Sequence, residues 1–158
     1  MKTMKLKPDQ QATAIALLRE LPLFSGVPAD LIQSLVQFLE ANDLAKGKVV
    51  IMEQEISRAL YLLIKGSVGI WKRVDNQKKC VATLKAPNFF GERSMLKELP
   101  ATALVKTEEE SQLFILSRDS FELVAGKNPE LQKKVLANLE VIETTRPSIT
   151  KSPEAQEG

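Results

Sequence analysis

Residues 87–105 read Pro87-Asn88-Phe89-Phe90-Gly91-Glu92-Arg93-Ser94-Met95-Leu96-Lys97-Glu98-Leu99-Pro100-Ala101-Thr102-Ala103-Leu104-Val105. An apolar aromatic pair runs into Gly91, and a short helical turn can start at Glu92. Lys97-Glu98-Leu99-Pro100 breaks out of that turn, and Ala103-Leu104-Val105 re-enters a strand. Glycine reaches backbone angles closed to other residues and lets a ligand approach the main chain. The free N–H groups of the helix start that follows favour an anion. The Glu92 carboxylate can accept hydroxyl hydrogen bonds. The stretch therefore suggests a small pocket for a group carrying both a phosphate and a sugar.

On the N-terminal side of this stretch, residues 1–8 are expected to be a loose tail. Asp9 to Leu21 shows helical spacing, with Ala12, Ile15, Leu17 and Leu18 on the apolar side and Asp9 as N-cap. Pro22 ends that helix. A second helix is expected from Pro28 or Ala29 to about Leu39, on the broad apolar face of Leu31, Ile32, Leu35, Val36, Phe38 and Leu39. From Asn42 the pattern changes to short β-like runs: Val49–Met52, Ala59–Ile64, Ser67–Trp71, Lys79–Leu84, Ala103–Val105 and Leu113–Leu116. Val74-Asp75-Asn76-Gln77 reads as a hairpin turn. Short strands at near-regular spacing argue a sandwich or barrel.

Helix returns at Ser117, capped by Ser117 or Asp119, with Phe121, Leu123 and Val124 facing inward and Gly126 at its end. Asn128-Pro129-Glu130 opens a last helix with the stripe Leu131, Val135, Leu139 and Ile142, flanked by Leu136 and Val141 and ended by Pro147. Residues 147–158 are polar and read as a disordered tail. The domain expectation is thus one unit over 9–146 between two tails.

Composition narrows the function. The 158 residues carry 22 basic and 20 acidic side chains, a formal charge of +2, which gives no bulk electrostatic case for nucleic-acid binding. The chain has no histidine, which removes the commonest general base and metal ligand, and no metal site is expected. The single Cys80 excludes an intramolecular disulfide and fits a reducing compartment. No apolar run is long enough for a membrane span, and the basic N-terminus lacks a secretory apolar segment, so the expected location is cytoplasmic. No nucleophile-and-base setting is visible, and an enzyme is not expected. Plain structural roles are expected elsewhere: Glu108-Glu109-Glu110 as an exposed turn, Trp71 and Tyr61 as core or sheet surface, and Cys80 as a small apolar filler.

The order of helices, β-runs and helices resembles the cyclic nucleotide-binding domain family over roughly residues 14–145. That family is the β-roll shared by catabolite activators and protein kinase A regulatory subunits. Carrying the resemblance are Leu21-Pro22-Leu23-Phe24-Ser25-Gly26, Lys46-Gly47-Lys48-Val49-Val50, Leu60 to Val68, Phe89-Phe90-Gly91-Glu92 and Asn128-Pro129-Glu130-Leu131. It implies an α+β fold: an antiparallel, jelly-roll-like β-roll flanked by N-terminal helices and C-terminal lid helices. It also implies a ligand, cAMP or cGMP, with no other cofactor. Phe90, Gly91, Glu92, Arg93, Ser94, Ala101 and Thr102 occupy the binding positions. In the family, the glutamate at Glu92 takes the ribose 2′-hydroxyl, and amides near Ser94 and Thr102 face the cyclic phosphate. The resemblance implies that Val81 and Leu84 hold the base and that the last helix closes over the ligand; Thr83 and Ser67 are further wall candidates whose faces alternation does not assign.

Two positions depart from the pattern. Ala101 stands where the family has its phosphate-clamping arginine. A hydrogen bond to a charged group contributes about 1.5–3 kcal/mol, so the change implies roughly a 10- to 150-fold loss of affinity. Gln54 stands where the family has a turn glycine, so the loop Glu53–Arg58 is expected to sit differently. Arg93, or Arg58 from that loop, is a candidate to replace the missing charge. The plainer reading of Arg93 is a solvated side chain or a pair with Glu92 or Glu98.

Two functions follow. One is a stand-alone regulatory module that senses cAMP or cGMP weakly or in altered fashion and signals through a separate effector protein. The other is a degenerate domain that binds no nucleotide and acts as a protein interaction scaffold. No DNA-binding helix-turn-helix is legible after the last helix. Its stripe is too short to predict a coiled-coil dimer, so sequence assigns no oligomeric state.

Overall fold

The computed structural model describes residues 3–144. The expected tail after Pro147 lies outside the described residues. Among these residues the chain forms nine strands, five α-helices and a short 3-10 turn. They divide into two compact units, one of residues 3–42 and 114–144 and the other of residues 43–113. The fold is the α+β class expected from sequence, with antiparallel strands between two sets of helices along the chain.

In the first unit, strand β1 (Met4–Lys5) pairs antiparallel with the start of β2 (Glu40–Leu44), Met4 opposite Ala41 and Lys5 opposite Glu40. This corrects the loose tail expected for residues 1–8: those described are held by pairing, and Leu6 is buried. Helix α1 (Pro8–Glu20) is capped two residues earlier than expected, because Pro8 suits the first helical position and Lys7, not Asp9, is the N-cap. Its buried residues are Ala14 and Leu18. The turn Pro22–Phe24 follows, then α2 (Ala29–Val36), which ends short of the expected Leu39.

Helix α4 (Arg118–Lys127) is capped by Ser117, whose Oγ accepts from the Ser120 amide at 3.1 Å. It runs through Gly126 rather than ending there. The stop comes at Asn128, because Pro129 follows and opens α5 (Pro129–Glu143). Leu131, Val135, Leu139 and Ile142 are all buried, as their spacing predicts, whereas Val141 faces solvent. Asn138 ties α5 down, its Nδ2 donating to the carbonyls of Leu23 and Ser25, each at 2.9 Å.

The second unit is the β-roll. Strands β3 (Val49–Ile51), β4 (Ala59–Lys65), β5 (Ser67–Val74), β6 (Gln77–Lys85) and β7 (Asn88–Phe90) precede a short helix α3 (Glu92–Lys97) and strand β8 (Leu104–Thr107). The last strand, β9 (Ser111–Ser117), carries the chain back to the first unit. One sheet has the order β3-β8-β5-β6, and β4 pairs antiparallel with β7. The β5–β6 hairpin closes on Asp75 and Asn76, both in the left-handed region (φ 52° and 65°), with Val74 opposite Gln77. Leu60, Leu62, Leu63, Val68, Val105 and Leu113 are fully buried.

Candidate functional site

The conformation of residues 88–102 is set by the strand before it. β7 places Phe90 opposite Tyr61 of β4, and their rings stack with centroids 5.1 Å apart and planes within 11°. Phe90 is buried, so the chain leaves the sheet from a fixed point. Gly91 then turns it at φ 84°, the left-handed region that glycine alone adopts without strain. A Cβ there would lie 2.7 Å from the Ala59 carbonyl oxygen and 3.0 Å from a Tyr61 ring carbon. The backbone therefore passes against β4 as closely as a side-chain-free residue allows.

α3 is six residues long and opens on Glu92. Glu92, Arg93 and Ser94 are 6%, 7% and 2% exposed, and Met95 and Leu96 behind them are buried. The expectation of a solvated Arg93 is thereby corrected: the helix packs on β4 and takes Arg93 out of water. Ser94 Oγ accepts a hydrogen bond from the Arg58 amide at 3.2 Å. The Arg58 side chain, largely exposed, pairs through Nε with Glu98 Oε2 at 3.1 Å. Glu98, also left-handed at φ 54°, ends the helix.

Ala101 is 1% exposed and is held by main-chain hydrogen bonds to the loop after β3. The Gln54 amide donates to the Ala101 carbonyl at 2.7 Å, and the Ala101 amide donates to the Glu55 carbonyl at 2.9 Å. Gln54 has φ 75°. The loop thus keeps a left-handed turn at the position where glycine was expected, with a glutamine in it. Glu55 closes the turn, its amide donating to the Met52 carbonyl at 3.0 Å and its Oε1 accepting from the Met52 amide at 2.8 Å. Thr102 next to Ala101 is half-buried.

Phe90 to Ser94 lie at the β7–α3 junction, where Ser94 meets Arg58, and Ala101, followed by Thr102, is bonded to Gln54 and Glu55 of the same loop. The wall candidates differ among themselves. Val81 and Thr83 are exposed on β6 and Leu84 is half-buried. Ser67 is buried and donates to Glu109 Oε2 at 2.7 Å. Cys80 is exposed on β6, which corrects its reading as a core filler. The acidic run is more engaged than an open turn: Glu108 Oε2 accepts from Trp71 Nε1 at 3.2 Å, besides the Ser67–Glu109 bond.

Tyr61, expected from sequence to be core or sheet surface, is buried and supports both Gly91 and Phe90. Its phenol is pushed up to about 12, chiefly by burial and also by the Glu55 carboxylate, with the Ser57 hydroxyl acting in the opposite sense. Alternation of strand residues was the only signal that could have found it, and it does not say which strand lies beneath a turn. Among the described residues no group of three or more His, Cys, Asp or Glu side chains could hold a metal ion. No described helix is long and apolar enough to cross a membrane.

The sequence model of the cyclic nucleotide-binding domain matches residues 41–128, more than half of the chain. The chain belongs to the cyclic nucleotide-binding domain family. It is 29% identical over 115 residues to the CRP-like cAMP-activated global transcriptional regulator of Mycobacterium tuberculosis, covering 72% of this chain and 51% of that one. It is 26% identical over 119 residues to cGMP-dependent protein kinase 2 of Homo sapiens, covering 73% of this chain and 16% of the kinase. The chain therefore spans about half or less of the length of these relatives. Among solved structures, a cyclic nucleotide-binding domain from Methylobacillus flagellatus superposes with a TM-score of 0.78 at 20% identity, over 92% of this chain and 82% of that one. That likeness is one of fold.

Proposed function

We propose that this chain is a regulatory module that senses cAMP or cGMP weakly or in altered fashion and signals through a separate effector protein. The observation that carries the reading is the pairing of a left-handed Gly91 and a buried Glu92 with a methyl group at position 101. The turn and the carboxylate suited to a ribose are kept. The guanidinium that would take both oxygens of a phosphate is not. In this reading Glu92 accepts from the ribose 2′-hydroxyl, and Ser94 and Thr102 offer amide and hydroxyl donors to the cyclic phosphate. Arg93, one residue from Glu92 and held in the same corner, supplies positive charge without a bidentate grip. A ligand shifts the module only through different affinities for two states, so weak binding implies a response at high nucleotide concentration. The reading assigns no catalytic group and places the module in the cytoplasm.

The test is thermal melting and calorimetry with cAMP and cGMP on the natural chain and on Ala101→Arg. Nucleotide at a hundred times its dissociation constant stabilises by about 2.7 kcal/mol. Affinity should be weak for the natural chain and at least about tenfold tighter for the variant. No response of either protein at millimolar nucleotide would exclude the sensor reading.

A second reading, a scaffold that binds partners and no nucleotide, is favoured by one observation. Glu92, Arg93, Ser94 and Ala101 are all less than a tenth exposed, and the Ser94 hydroxyl already accepts from Arg58. The same titration decides between the two.

A further inference from the structure

The tip of the β5–β6 hairpin sets like charges against each other. In the register of the two strands Lys72 stands opposite Lys79, and Arg73 stands opposite Lys78. Between Lys72 and Lys79 the only carboxylate is Asp75, in the turn itself. Like charges directly opposite each other in an antiparallel pair are destabilising, whereas a carboxylate in either strand would be stabilising. On a chain whose formal charge is only +2, these four cations are a local concentration.

A plainer cause deals with half of the pattern. β6 is the edge strand of its sheet among the described residues, and lysines on an edge discourage pairing with other chains. That device requires Lys78 and Lys79. It does not require Arg73 and Lys72 on the inner strand β5, where acids would protect the edge equally and steady the hairpin.

The geometry also says what shape of anion fits. Successive strand residues point to opposite faces. The Arg73–Lys78 pair therefore shares the face of Trp71, and the Lys72–Lys79 pair shares the face of Val68 and Ile70. A flat anionic surface meets one pair at a time. A strand laid beside β6 meets Lys78 on one face and Lys79 on the other, about 4.8 Å away, with Arg73 one further strand spacing behind Lys78. Residues 77–81 of β6 are all exposed, so the edge is open to such a strand. We propose that the tip of the β5–β6 hairpin is a docking edge for an extended acidic peptide segment of a partner protein. The segment adds as a strand to β6 and sets adjacent acidic side chains against Lys78, backed by Arg73, on one face and against Lys79 on the other. Main-chain hydrogen bonds give the contact its register, and the cations select the sequence.

The experiment uses the full chain and an end-labelled ten-residue peptide of alternating Glu and Thr, read by fluorescence anisotropy at low salt. Trp71, the only tryptophan, reports from the same strand. The peptide should bind, and the double variant Arg73→Gln, Lys78→Gln should weaken it at least about tenfold, the low end of a charged hydrogen bond. A peptide of the same charge, N-methylated on alternate residues, should lose binding. No binding of the parent peptide, or equal binding of the N-methylated one, overturns the proposal. So does tighter binding of single-stranded DNA or of phosphatidylserine vesicles at matched charge. As a check on folding, Arg73→Glu should raise the melting temperature by giving Lys78 an opposite partner. A fall would show that the natural pair stabilises the hairpin and is not held for a ligand.

Discussion

The amide of Gln54 donates to the carbonyl of Ala101 at 2.7 Å, which joins across a single hydrogen bond the two positions read from the sequence as departures from the family pattern. To make that bond Gln54 sits at φ 75°. A side chain in the left-handed region costs about 1–2 kcal/mol, and glycine recovers this less about 0.5–1 kcal/mol of chain entropy. Gln54→Gly should therefore stabilise the protein by about 0.5–1 kcal/mol. Gln54→Val, β-branched at the same angle, should destabilise it. Urea unfolding of the two variants measures both signs, and a destabilising glycine would mean that the glutamine side chain makes a contact worth more than the strain.

Gly91 is the opposite case, a glycine that both geometry and space demand. Alanine there adopts a left-handed conformation at about 1–2 kcal/mol, and its methyl meets the Ala59 carbonyl oxygen at 2.7 Å, so the turn must shift as well. Gly91→Ala is expected to lower stability by about 2–4 kcal/mol. Since Phe90 and Tyr61 stack beneath the turn, near-ultraviolet circular dichroism should change along with the urea midpoint.

What could be read beforehand divides along these lines. Elements marked by local chemistry were legible: Asp75-Asn76 as a turn, Ser117 as a cap, Pro129 as a helix start and the stripe of Leu131, Val135, Leu139 and Ile142. The chain order and the Phe90-Gly91-Glu92 corner were legible because glycine and a flanking aromatic pair are strong local signals. What was not legible depends on partners distant in sequence. β1 exists because Met4 and Lys5 find Ala41 and Glu40. Cys80 is exposed because β6 is an edge strand, which alternation does not reveal. Arg93 is buried because α3 packs on β4, although arginine is mostly a surface residue. At Gln54 the left-handed turn is kept against the preference of the residue type, together with a bond to Ala101 that lies 47 positions away in the chain.

Thr107 offers a test of how the roll holds its β2–β3 connection. Its Oγ1 donates to the Ala45 carbonyl at 2.7 Å and accepts from the Lys48 amide at 2.8 Å, and the residue is 1% exposed. Valine has nearly the same shape and neither bond, so Thr107→Val leaves two main-chain groups without their partner. The expected loss is about 1–3 kcal/mol in thermal or urea unfolding. Thr107→Ser, which keeps the hydroxyl, should lose less than the valine variant.

Tyr61 predicts a dependence on pH. Its phenol ionises at about 12 in the folded chain, against about 10 when unfolded. Burial is the main cause, and the nearby Glu55 carboxylate adds to it. Below pH ~10 the phenol is protonated in both states and the folded chain keeps its full advantage. Between about 10 and 12 the unfolded chain releases the proton and the folded chain does not, so stability falls as pH rises, by on the order of 2–3 kcal/mol in all. Lysines titrate in the same range, so the measurement is the difference between the natural chain and Tyr61→Phe. That difference should move in favour of the phenylalanine variant as pH rises from about 10 to 12 and be constant between about 7 and 9. A difference that does not change with pH would mean that the phenol reaches water in the folded protein, and that the packing of Tyr61 under Gly91 is looser than its 6% exposure indicates.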